Sequence, residues 1–166
     1  MIARPASLLA IGVIATVAAI GLSNRPMADR ADRIIAEDGV VRVKSAYAMG
    51  ETVERLQKDV AAKGIKMFSL IDQAGLAADA GIALRPSVLL VFGNPALGVQ
   101  FITSKSQAGL DWPVRLLVQE DETGTVWATY TDFAWIERRH RITDRKEAFE
   151  MASRVIESIT SSVTAK

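Results

Sequence analysis

From residue 40 onward, apolar and polar positions recur with a readable period along most of the chain. Over Val40 to Tyr47, Val41, Val43 and Tyr47 fall on one side and Arg42 and Lys44 on the other, the pattern of a strand with one buried face. From Gly50 to Lys63, Val53, Leu56 and Val60 recur at helical spacing, and Glu54 and Lys58 form an i,i+4 pair. Gly64 is placed to end that helix, because glycine tolerates the left-handed conformation. Ile65 to Ile71 predicts a second strand. Asp72 can then cap a short helix through Gly81, since a carboxylate accepts from the free N–H groups of a first turn.

Ser87 to Phe92 is apolar throughout and predicts a strand buried on both faces, closed by the turn signal Gly93-Asn94-Pro95. Residues 98–107 fit a strand or a short helix. Val114 to Gln119 and Thr125 to Tyr130 predict a hairpin, with Gly124 where its turn needs a positive φ. Asp132 can cap a short helix through Arg139. Thr143 can cap the last helix, with Asp144 and Glu147 near its positive end. In that helix Phe149, Ala152, Ile156, Ile159 and Val163 make one apolar stripe. A closing antiparallel hairpin and a long amphipathic helix predict an α+β fold rather than a doubly wound one.

The N-terminus has a different pattern. Pro5 to Leu22 contains no charge and follows Arg4 and the terminal amine, the layout of a secretory signal. The run is also long enough to cross a bilayer once. Residues 1–22 therefore predict a signal peptide, or an anchor that tethers the chain to a membrane. Either places the body in the periplasm, free or facing it from the membrane. Residues 23–38 are polar and predict a linker with a short helix around 28–37, and 39–166 form the domain.

Composition narrows the chemistry. The net charge is +1, which argues against a nucleic-acid partner. The sequence has no cysteine and one histidine, so thiolate chemistry and a multi-histidine metal site are excluded. No Walker loop, dinucleotide fingerprint, nucleophile elbow or zinc-protease motif occurs, and no cofactor is expected. His140 lies in a basic run, where it could bind an anion or simply be part of a solvated turn. Asp72 and Asp111 could act as an acid/base pair if the fold joined them. Each also suits a structural job, cap or turn. Phe92-Gly93-Asn94-Pro95 with Gly98 is the most unusual local sequence: glycine leaves backbone N–H groups uncovered and Asn94 adds an amide.

In order and spacing, several segments together resemble the DUF302 family. They are Glu51-Thr52-x-x-Arg55-Leu56, Ile71-Asp72, Gly81-x-x-Leu84-x-Pro86, Phe92-Gly93-Asn94-Pro95, Asp111-x-Pro113 and Gly124-x-Val126-Trp127 with Tyr130. The resemblance implies a TBP-like β-α-β4-α arrangement, a curved antiparallel sheet with helices on one face, and a homodimer. It supplies no reaction. The chain departs from the family in having Gln73 where a histidine often follows the Ile-Asp pair. It also has Gly98-Val99-Gln100-Phe101-Ile102 where Gly-Thr-Pro-Leu-Met often follows the turn. Any metal or haem held by those histidine and methionine side chains in relatives would lack them here.

The expectation is an extracytoplasmic module without intrinsic catalysis that binds a small ligand or a protein partner. Its site would centre on Gly93, Asn94 and Gly98, with Asp72 and His140 contributing. The alternative is an enzyme that uses Asp72, Asn94 and His140 around the Phe92–Pro95 turn.

Overall fold

The computed structural model describes residues 33–164. The signal or anchor expected over 1–22 lies outside the described residues, as does most of the stretch expected to be a linker.

In chain order the elements are β1 (Arg33–Ile35), β2 (Val40–Lys44), α1 (Met49–Ala62), β3 (Lys66–Asp72), α2 (Gln73–Asp79) and β4 (Ser87–Gly93). Then come α3 (Pro95–Ser104), β5 (Val114–Glu120), β6 (Val126–Thr131), α4 (Phe133–His140) and α5 (Lys146–Thr160). All six strands join one antiparallel sheet in the order β1-β2-β6-β5-β4-β3. The fold is α+β, as the pattern predicts.

The strand period decides which face is covered. Val41, Val43, Leu90, Phe92, Leu116, Val118, Val126, Ala128 and Tyr130 are buried and join one core with residues of α1, α3, α4 and α5. Phe149 of α5 stacks on Phe101 of α3 with ring centroids 4.2 Å apart. The expected stripe of α5 is buried at every position, Val163 in the 3-10 turn that follows the helix. In β3 the register shifts between Met67 and Ser69, a bulge at Phe68.

Several local expectations are corrected. Of the helix expected around 28–37, residues 28–32 lie outside the described residues, and Arg33–Ile35 form β1 instead, which pairs with β2 through a tight turn at Asp38-Gly39, with Gly39 at φ +81°. In α1 the buried positions are Thr52, Leu56 and Val60, and Val53 is only half-buried. The Thr52 hydroxyl tolerates this because Ser45 Oγ lies 2.6 Å away and the Ala48 carbonyl accepts from it at 3.0 Å. The ambiguous stretch 98–107 is helical, and α3 starts earlier, at Pro95. Thr143 does not cap α5: the helix begins behind Arg145 with no side-chain cap. Asp144 instead accepts from the Ser104 hydroxyl at 2.5 Å, which holds its carboxyl below the usual range.

Candidate functional site

The Phe92–Pro95 turn is where β4 ends and α3 starts. Asn94 is the residue before the first helical position, and its Oδ1 accepts from the Ala96 N–H at 3.0 Å and the Leu97 N–H at 3.4 Å. Pro95 then occupies the first turn, where a missing N–H costs nothing. The carbonyl oxygen of the Asn94 amide therefore works as a helix cap.

The two glycines make room for a side chain. A Cβ added to Gly98 would overlap the indole ring of Trp112, and one on Gly93 would come within 3.0 Å of its Nε1. Gly93 and Gly98 are both buried under that ring. From the edge strand, Phe68 meets the indole edge-on, centroids 6.0 Å apart at 78°. Trp112 thus ties β3, β4 and α3 together. It is the residue that the sequence reading missed here; the signal was two glycines flanking a helix start with an aromatic just before β5.

Beside Trp112 sits Asp111. His140 Nε2 lies 2.6 Å from its Oδ2, and the two side chains are only 7% and 5% exposed. Arg139 Nη1 reaches Oδ1 at 3.1 Å and Oδ2 at 3.2 Å, and Arg115 approaches Oδ1 at 3.6 Å. Arg139 and His140 come from the last turn of α4, whose own cap is Asp132, accepting from the Trp135 N–H at 3.2 Å. The arrangement fastens α4 to the segment that leads into β5. A cleft of about 20 Å³ next to it, lined by Asp111, Val114, Arg115, Thr131, Phe133 and Ile136, has room for about one water.

Asp72 stands apart. Lys66 pairs with Gly93 and Asp72 with Val88, so Asp72 is at the far end of the β3–β4 ladder. At about 3.3 Å per residue the separation from Gly93 is roughly 20 Å. Its Oδ1 accepts from the Gly75 N–H at 2.9 Å, the cap expected of it. Gln73, in the position where relatives often have histidine, accepts from the Ser87 hydroxyl at 2.7 Å. Of the five expected site residues, then, Gly93, Asn94 and Gly98 come together, and Asp111 and Trp112 link them to His140. Asp72 is separated from them, and from Asp111, its partner in the acid/base reading. Among the described residues no three potential metal-ligating His, Asp or Glu side chains converge.

A larger open depression of about 610 Å³ lies at the start of α5, lined by Gln100, Thr103 and 143–148. Asp144 is fixed there by Ser104 and by Arg145 at 2.8 Å.

These features define an α+β domain whose distinctive turn serves as a packing joint. The chain belongs to the DUF302 family: the model of that family, described as a domain of unknown function, matches residues 41–159. A solved DUF302 protein from Bacillus stearothermophilus shares the fold with a TM-score of 0.68 at 17% identity, covering 75% of this chain and 98% of that one. Two curated relatives are named fluoride-specific ion channels, from Brucella suis and Brucella abortus. Each is 38% identical over 108 residues, 65% of this chain, and the matches cover 42% and 40% of those proteins. The chain thus matches about two fifths of their length.

Proposed function

We propose that this protein is a non-catalytic binding module of the cell envelope, located outside the cytoplasm. The observation that carries the non-catalytic part is how the polar groups of the candidate site are engaged. Asn94 caps α3, and both oxygens of Asp111 are held by Arg139 and His140. A general acid or base needs a group within reach of a substrate proton. Here the carboxylate and the imidazole face each other inside the fold. The extracytoplasmic part is supported by the uncharged run from Pro5 to Leu22 behind Arg4. Fractionation of the native cell tests it: full-length protein recovered from the cytosol overturns the location. Photo-cross-linkers placed on the surface of the full chain in intact cells test the binding role. Discrete adducts support it, and substrate turnover by the purified chain that Asp111→Ala abolishes would replace it with the enzymatic reading.

A second reading rests on the curated relatives. We infer that in them the shared segment is a module attached to a conducting part that lies in the remaining three fifths. Among the described residues of this chain, no helix is long and apolar enough to cross a membrane. On this reading the protein acts beside a fluoride channel. Loss of the gene should then lower the fluoride tolerance of the native cell, and unchanged tolerance counts against it.

A further inference from the structure

The sheet has a second face, opposite the core. Its register builds one continuous cross-strand row over all six strands: Ile34, Arg42, Thr129, Leu117, Leu89 and Ile71. From Leu117 to Ile71 this row is apolar, and Val91 lies beside Leu89 on the same face. Apart from α2, whose Gln73 meets Ser87 at one corner, the helices pack on the other side.

Among the described residues, the charges on this face are of one sign: the outward strand positions carry Arg42, Lys44, Lys66 and Arg115 and no carboxylate. Among the described residues Arg42, Lys44 and Lys66 form no ion pair. Arg42 is held flat, its guanidinium 4.3 Å from the centroid of Trp127. At the hairpin end, Asp121 is an acid whose side chain is already engaged. It accepts from the Thr123 hydroxyl at 2.7 Å and from the Trp127 indole N–H at 2.7 Å, which hold its carboxyl well below the usual range.

Size selects among occupants. Six strands at about 4.8 Å spacing span roughly 24 Å, and the central strands present about 13 Å of outward positions. The strip is thus roughly 24 Å long and 13 Å wide. It fits a single helix of about 16 residues, ~24 Å long and ~10 Å wide. A second copy docked here would bring like charges together, which disfavours association.

We propose that this face docks an amphipathic helix of a partner protein, with its apolar stripe on Leu117, Leu89, Val91 and Ile71 and its carboxylates against Arg42 and Lys44. The proposal rests on the reading of the chain as a binding module, and names the surface and the chemistry of the partner.

The test uses the full chain and two synthetic helical peptides of about 16 residues. One has a leucine stripe bordered by glutamates; its twin has lysines in their place. The glutamate peptide should bind and perturb Trp127 and Leu117, and the twin should bind at least tenfold more weakly. Arg42→Gln should cost about tenfold in affinity, and Lys44→Glu, at an exposed position, should do the same. Equal binding of the twins overturns the proposal, as does glutamate-peptide affinity unaffected by both substitutions. So does Arg42-dependent binding to phosphatidylglycerol vesicles without peptide binding, or a dimer that Leu117→Glu dissociates. If no peptide binds this face while cross-linking in cells yields adducts elsewhere, the docking surface fails and the binding-module reading stands.

Discussion

The indole of Trp112 occupies the space that a Cβ on Gly98 would need. Helix propensity alone favours alanine over glycine inside a helix by about 1 kcal/mol. Overlap with the ring outweighs it, and overpacking of this kind costs about 1–3 kcal/mol. Gly98→Ala should therefore destabilise the protein in urea titrations and alter the near-ultraviolet signal of Trp112. In a Trp112→Ala background the same substitution should become neutral or stabilising.

Asn94→Ala should lower stability by about 1 kcal/mol, the ordinary cost of an N-cap. Asn94→Asp should restore most of it, since a carboxylate accepts the same Ala96 and Leu97 N–H groups. Equal stability of all three forms would show that the amide serves something other than α3.

Asp111→Ala leaves His140 without the contact it makes inside the fold. Leaving a buried polar group without its partner costs about 1–3 kcal/mol. A double-mutant cycle with His140→Ala should give a clear coupling energy. Additive losses would mean that the two side chains act separately.

Phe149→Ala should cost about 3–5 kcal/mol, because the ring is 2% exposed and stacked on Phe101. A melting temperature that does not move would detach α5 from the core.

Burial pushes the Tyr130 phenol up from 10.0 to about 12. Thr160, packed nearby, donates its hydroxyl to the Ile156 carbonyl at 3.0 Å. In the window between the two values the unfolded chain has released the phenolic proton and the folded chain retains it. Stability is thus fully present below pH 10 and falls by roughly 1.4 kcal/mol per pH unit as pH rises towards 12. Tyr130→Phe should remove that alkaline loss, which urea titrations at pH 7 and 11 check.

The elements legible in the sequence are those in which one face is buried against one partner. The α5 stripe and the β2 alternation each carry a single period, so periodicity alone placed them. What escaped depends on contacts distant in sequence. Nothing local marks Arg33–Ile35 as a strand except the Asp38-Gly39 turn that follows it, and pairing with β2 makes the assignment. Thr52 is buried because Ser45 supplies a partner, which periodicity cannot show. The candidate site followed the same rule. The turn at Gly93-Asn94-Pro95 was legible as a rigid joint. That its glycines seat Trp112, and that Asp111 beside it meets His140 rather than Asp72, depends on which strand ends the antiparallel pairing brings together, a contact between segments distant in sequence.

The bulge at Phe68 bears on how molecules of this protein coexist at high concentration. A regular edge strand offers a row of unpaired N–H and C=O groups on which a neighbouring chain can continue the sheet, and such growth leads to aggregation. In β3 that row is broken between Met67 and Ser69, and Lys66 places a charge at its start. Straightening β3 by deleting Phe68 would remove the protection on its side, and would make self-assembly into sheets the predominant fate of the concentrated protein.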